Sequence, residues 1–339
     1  MTHQLNQISP FIIAEISGNH NGDIEQCKKL ILDAQSAGAN AVKLQAFLPN
    51  RITVQSNKKD FNIDSKSPWN SHQTLFELYK VAQTPPIWFP ELYSFAKNHN
   101  VTLMSSVFDL ESLSLLQKLE NPIYKIASPE INHYPLIREV AKTHKPIILS
   151  LGVASSLDLE TAVSTIREEN DSELVIMQCD TSYPAKINNA NLKLLKIIST
   201  KYDVRIGYSD HTKSHTSALV SIGLGADVFE KHIKLQNDKS SVDSFFSLTP
   251  SEFKDYCDQL RTGYFALGQE IFRRTDESSS ISIYPFKNIK KGDIFDEKNI
   301  QICRPGFSLH PRFWNLINGS KATRDLESGQ RLSETDFEK

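Results

Sequence analysis

The chain has 339 residues, of which 39% are apolar and 23% charged, with a formal net charge of -2. Those proportions exclude a disordered or fibrous chain, and the near-zero charge leaves no general attraction for nucleic acid or anionic membrane, so an anionic ligand has to be held by local groups. No apolar run reaches the roughly 18 residues of a membrane span, the opening "MTHQLNQISP" lacks the basic-then-apolar order of a secretory leader, and Cys27, Cys179, Cys257 and Cys303 form no CxxC pair, which together point to a cytoplasmic protein with reduced thiols.

In chain order, β-prone runs fall at 11–17, 41–47, 101–107, 123–128, 146–152, 173–179, 204–210 and 227–233. Most are continuous rather than alternating, as expected for parallel strands covered on both faces. Helical patterns lie between them at 23–38, 85–100, 109–120, 155–170 and 214–226. In the first, Ile24, Cys27, Leu30, Ile31 and Ala34 share one face, and Gly38 can close the helix. Strand and helix alternating in this way predict an α/β fold, a (β/α)8 TIM barrel. The connection over 48–100 is far longer than its counterparts and predicts an insertion over the active-site face. The barrel is expected over 1–272, followed by a polar, Ser-rich linker at 273–280. A small β-rich domain is expected over 281–339, too small to bury a large core of its own.

Barrel enzymes build their sites at the carboxyl ends of the strands. Reading those ends in turn gives Glu15, Asn19 and His20; Lys43 and Gln45; Ser105 and Ser106; Lys125, Ser128 and Glu130; Ser150; Tyr183; Ser209, Asp210 and His211; Glu230 and His232. Two lysines and several hydroxyls on one rim suit a small, multiply anionic ligand. The histidines of the last two strands could share a divalent metal. Taken singly each has an ordinary explanation: a buried Lys pairs with a neighbouring Glu, a strand-end His is a hydrogen-bonder, and a Ser begins a turn. The case rests on their coincidence. His20 remains open between holding its loop and touching substrate.

The stretches "IIAEISGNHNG", "AGANAVKLQAF", "YKIASPEI", "IGYSDHT" and "EKHIKL" resemble the sialic acid synthase family, which condenses phosphoenolpyruvate with an amino sugar. The tail "KNIKKGDIFDEKNIQICRPG" resembles the antifreeze-like (SAF) domain that follows the barrel in that family. Within it, "AEISGNHNG" and "SPWNSHQTLFELYKVAQTP" are most similar to the pseudaminic acid branch, whose sugar is 2,4-diacetamido-2,4,6-trideoxy-L-altrose. The resemblance implies a cytoplasmic transferase that needs manganese, magnesium or cobalt on His211 and His232. It implies Glu15, Glu130, Lys43 and Lys125 as catalytic residues, with Glu130 ahead of Glu15 as guide for the attacking water. The phosphate would meet Lys125, Ser128, Ser150 and Ser209, the carboxylate Lys43 and Ser106, and the sugar Tyr183 and Asp243, with Gln45 and Thr181 also lining the substrate site. Arg304 would reach into a second copy's barrel in a domain-swapped homodimer, with neither nucleic acid nor membrane as partner.

The chain departs from the family pattern at Val107, Leu151, Asp180, Ser241-Val242 and Ile281, of which Asp180 brings a negative charge near the phosphate side. Three rival readings stay open: the same chemistry on N-acetylmannosamine or a legionaminic acid precursor, a non-catalytic sugar-binding paralogue, and an unrelated metal-dependent barrel enzyme.

Overall fold

A computed structural model of the chain describes residues 9–169, 171–269 and 278–338. Two compact units divide after Gly268. The expected barrel boundary at 272 and most of the expected linker at 273–280 lie outside the described residues.

The first unit runs β1 (Phe11–Glu15), α1 (Ile24–Ser36), β2 (Ala41–Ala46), α2 (Pro49–Ile52), α3 (Leu75–Ala82), α4 (Phe89–Asn98), β3 (Leu103–Val107), α5 (Leu110–Lys118) and β4 (Tyr124–Ile126). It continues with α6 (Tyr134–Ala141), β5 (Ile147–Ser150), α7 (Ser156–Glu169), β6 (Leu174–Cys179), α8 (Lys193–Tyr202), β7 (Arg205–Asp210), α9 (Thr216–Ile222), β8 (Val228–His232) and α10 (Pro250–Ala266). The strands close into a parallel barrel in sequence order, with β8 pairing back on β1 from Phe11↔Val228 to Glu15↔His232.

Alternation along each strand sorts its residues into two layers. Outward residues such as Ile12, Val42, Leu103, Tyr124, Leu149, Ile176, Tyr208 and Phe229 pack under the helices. Inward residues Phe11, Ile13, Ala41, Met104, Ile123, Ile148, Val175, Met177 and Val228 form a separate plug inside the barrel. The plug is crowded: a Cβ on Gly207 would lie 2.5 Å from the Val228 carbonyl oxygen, so this inward position tolerates no side chain. With the amino-terminal half of the barrel filled, inward side chains of the next layer project toward the open end.

Local chemistry starts the helices where the chain turns back. Asp23 caps α1 by accepting from the Glu25 and Gln26 amides. Thr74 with Glu77, and Thr249 with Glu252, form capping boxes at α3 and α10. Within the long connection, α4 buries Phe89, Leu92 and Ala96 as an ordinary barrel helix. The stretch before it covers the strand ends: Trp69 donates to the Val242 carbonyl at 2.8 Å, and a Cβ on Gly18 would meet the Ala82 backbone at 3.2 Å. The insertion therefore lies where its length predicts.

The second unit contains β9 (Ser282–Pro285), β10 (Ile300–Cys303), α11 (Trp314–Ile317), β11 (Lys321–Ala322) and β12 (Phe337–Glu338). β9 pairs antiparallel with β10, and β11 with β12, around Ile283, Ile289, Phe295, Ile300, Leu309, Ile317 and Leu326.

Candidate active site

The inward layer above the plug is polar and buried. Lys43 of β2 places its Nζ 2.6 Å from Glu15 Oε2 and 3.6 Å from Glu230 Oε2, and donates to Ser106 Oγ at 2.8 Å. Lys125 of β4 lies 3.8 Å from the same Glu230 oxygen. Gln45 donates to Glu15 Oε1 at 2.8 Å, and Ser209 donates to Glu230 Oε1 at 3.0 Å. Each of these four charges is at most 4% exposed, so they act on one another through little water.

That mutual field separates the two carboxyls. Burial pushes Glu15 upward, Lys43 pulls it back, and the neighbouring Glu230 pushes it up again, leaving it raised overall. Burial would raise Glu230 too, but Lys125 and Lys43 together outweigh it and hold it low. Two adjacent acids held apart in this way make one proton carrier and one fixed anion. With Glu230 held low and Glu15 raised, the two lysines outweigh the fixed negative charge, and the chamber suits an incoming anion.

Beside the chamber stand His211, just past β7, and His232, at the end of β8, with ring centroids 5.4 Å apart. His211 Nδ1 donates to the Asp180 carbonyl at 2.6 Å, which orients the ring and makes Nε2, 3.5 Å from Ser209 Oγ, the nitrogen that can ligate. His232 Nδ1 is buried without a hydrogen-bond partner. Burial lowers the pKa of both imidazoles and keeps them in the neutral, ligating form. No cluster of three or more His, Cys, Asp or Glu ligands forms among the described residues. The donor set fits a divalent cation that takes its remaining ligands from substrate and water.

Asp243 approaches His232 Nδ1 at 3.9 Å, and burial pushes its carboxyl up to about 6. An aromatic wall rises beside the histidines. Tyr183 lies 4.5 Å from His211, Phe246 4.7 Å from His232, and Trp69 5.3 Å from Tyr183 and 5.7 Å from Phe245, between ring centroids. Because the Trp69 indole N–H is already spent on Val242, the indole adds only apolar surface to this wall.

On the opposite side, the β5–α7 turn folds against Ser128. Its Oγ donates to the Leu151 carbonyl and accepts from the Val153 amide at 2.9 Å. Gly152, at φ +55°, allows this approach, with Thr181 close behind it. Ser150 Oγ is buried without a hydrogen-bond partner. Glu130 is half-buried and lines a cleft of about 380 Å³ with Arg51, Phe108 and His133. Burial pushes its carboxyl up to about 8, against the pull of Lys125.

The other residues singled out in the sequence are placed as follows. Ser105 faces outward and donates to the Leu44 and Ser106 carbonyls, so only Ser106 serves the chamber. Asn19 ties its loop to the Ile233 carbonyl and Ser247. His20 accepts from the Gly22 amide, meets Thr84 and packs on Trp88; of its two open readings, loop-holding is the one these contacts describe. Asp180 turns one oxygen to the Ser182 amide and hydroxyl. Ser241 donates to Asn19 and Asp238, joining the same loop network. Arg304 is exposed in the second unit, just past β10.

Glu230, central to the chamber, had no role among the sequence-derived assignments, although its parity with His232 was the available signal. Cys179 also faces inward, beside Ser128 and Lys125. Among the described residues, no helix is long and apolar enough to cross a membrane.

The chain is similar to known proteins over most of its length. Residues 30–272 match the NeuB family and residues 282–338 the SAF domain. The chain is 38% identical to a pseudaminic acid synthase of Campylobacter jejuni over 96% of each chain. It is 36% identical to one of Helicobacter pylori, over 97% of this chain and 98% of that one. The crystal structure of an N-acetylneuraminic acid synthetase from Leptospira borgpetersenii in complex with citrate superposes with a TM-score of 0.70 at 29% identity, covering 78% of this chain and 87% of that one. On sequence and fold alike, the chain belongs to the NeuB family.

Proposed function

We propose that the chain condenses phosphoenolpyruvate with 2,4-diacetamido-2,4,6-trideoxy-L-altrose to a nine-carbon 2-keto acid and inorganic phosphate, the reaction of a pseudaminic acid synthase. The observation that carries this reading is the Glu15–Lys43–Glu230–Lys125 chamber set beside a buried, neutral histidine pair. The identities to pseudaminic acid synthases support the choice of sugar.

Lys125, with Ser128, Ser150 and Ser209, holds the phosphate; Lys43 and Ser106 hold the carboxylate. Gln45 fixes Glu15 against rotation, and Thr181 backs the phosphate side. Asp243 and Tyr183 meet the open-chain sugar, with Trp69 packing its apolar edge. His211 and His232 would hold a divalent cation (manganese, magnesium or cobalt), which would supply Lewis acidity toward the sugar's aldehyde.

The methylene carbon of phosphoenolpyruvate forms a bond to the aldehyde carbon, and the aldehyde oxygen takes up a proton, for which raised Glu15 is the donor. Positive charge then develops at the former enol carbon, faced by ionised Glu230. Water adds there and yields a proton to Glu130, giving a tetrahedral intermediate. The carbon–oxygen bond to phosphate breaks, and the hydroxyl proton passes to the departing phosphate, leaving the ketone. The lysines stay on phosphate and carboxylate throughout and need no rearrangement as charge moves. In the same reading the chain works as a domain-swapped homodimer, and Arg304 is the residue sent to the barrel of a second copy.

The test is phosphate release from phosphoenolpyruvate and the altrose sugar, with manganese and after chelation. Metal-dependent release supports the reading; release that survives complete chelation, or none from folded protein, refutes it.

A further inference from the structure

On the outer side of the same two strand ends lies a second buried ion pair, for which the proposed chemistry has no use. Lys231 and Asp210 are paired across β7 and β8, and each is 1% exposed. Both point away from the chamber, into the otherwise apolar layer under the helices, opposite in parity to Glu230 and His232. Lys231 Nζ donates to Asp210 Oδ2 at 2.9 Å and also to the Thr212 carbonyl. The other Asp210 oxygen accepts from the Thr212 amide at 2.9 Å. The Tyr256 ring of α10 closes a further side, 5.6 Å from the ammonium.

These bonds enclose His211. The residue before it is held by its carboxylate, and the residue after it by both its amide and its carbonyl. The same ammonium belongs to the residue preceding His232. One cation thereby fixes the backbone of both imidazoles. A buried ion pair seldom stabilises a fold more than an apolar pair of equal volume, so stability alone is a poor reason for one here. Groups behind metal ligands commonly set their orientation, and changing them weakens the metal site.

We propose that Lys231, through Asp210 and Thr212, is a positioning residue that presets the His211–His232 spacing for a divalent cation. This rests on the metal reading given above. Neither Lys231 nor Asp210 touches substrate or cation in this scheme.

The experiment is manganese titration of the full chain, followed by the electron paramagnetic resonance signal of free Mn(II), with thermal unfolding measured alongside. The main variant is the double substitution Asp210→Asn with Lys231→Met, which removes both charges together and avoids stranding one of them. It should fold with a melting temperature close to wild type and bind manganese about 10–100-fold more weakly. Its KM for phosphoenolpyruvate at saturating manganese should stay unchanged. Asp210→Asn alone, which keeps an acceptor for the Thr212 amide but leaves the ammonium without its carboxylate, should melt below the double variant and weaken manganese by about tenfold. Arg205→Met serves as control. It breaks an ion pair to Glu173 (2.5 Å) and Asp227 (3.0 Å) at the opposite end of β7, and should lower the melting temperature without moving manganese affinity.

Unaltered manganese affinity in both Asp210 variants overturns this inference while leaving the metal reading intact. So does equal weakening in the Arg205 control, which would mark general loosening. A wild-type chain that binds no manganese overturns both.

Discussion

Gly152→Ala is a one-atom perturbation whose consequence can be worked from distances. Gly152 sits at φ +55°, and the added Cβ would lie 2.3 Å from Ser128 Oγ and 2.7 Å from Thr181 Cγ2, where ordinary contact begins at 3.4 Å. Ser128 must therefore retreat by about 1 Å, and it is held on both sides by the Leu151 carbonyl and the Val153 amide. The left-handed backbone alone costs about 1–2 kcal/mol for a residue with a Cβ, which lowers the melting temperature by about 2–4 °C per kcal/mol in a unit of this size. A displacement of that size in a positioning group costs about 100-fold in rate, or about 2.7 kcal/mol of transition-state stabilisation. The assay is kcat/KM for phosphoenolpyruvate by phosphate release, on protein shown to be folded. Gly22→Ala is the control: its φ is +68° with nothing within 4 Å, so it carries backbone strain without displacement and should keep full activity. A folded Gly152→Ala chain with wild-type kcat/KM would refute the assignment of Ser128 to the phosphate.

Glu130 must lose its proton to accept one from water, and burial raises it to about 8. Because Glu15, raised to about 7, must keep the proton it donates, kcat/KM should be bell-shaped with its maximum between about 7 and about 8, and Glu130→Gln should abolish activity; a profile flat across that interval contradicts the roles. The folded chain keeps the Glu130 proton where the unfolded chain has lost it, so the linked stability falls as pH climbs from 4.5 toward about 8. Lys43→Met leaves Glu15 and Glu230 facing each other without their shared cation; kcat/KM should drop by at least about 100-fold, beyond rescue by manganese. Trp69→Ala removes the tip of the aromatic wall and should cost about 10–200-fold in kcat/KM for the altrose sugar, with KM for phosphoenolpyruvate unchanged.

The barrel was readable because both faces of its strands are covered, so each strand appears as an apolar run and each helix as a 3.6-residue pattern. The same coverage hides which residues face inward. Ser105 and Ser106 look equivalent in sequence, and only the pairing of Gln45 with Ser106 across β2 and β3 separates them. The lysines and histidines stood out because charge in an apolar run is costly. Glu230 and Lys231 were visible for the same reason, yet opposite parity sends one to the chamber and the other to the outer layer. The aromatic wall was not legible as a wall. Trp69 and Val242 meet across 173 residues through an irregular loop, and no periodicity announces such a contact.

The most direct test of the central claim places equal concentrations of 2,4-diacetamido-2,4,6-trideoxy-L-altrose and N-acetylmannosamine with one preparation, phosphoenolpyruvate and manganese, and identifies the products by mass spectrometry. The product ratio in such a mixture reports the ratio of kcat/KM values directly. The expected result is the nine-carbon keto acid of the diacetamido sugar, in strong excess and with matching phosphate release. A product from N-acetylmannosamine alone, or none from a folded and manganese-loaded chain, would contradict it.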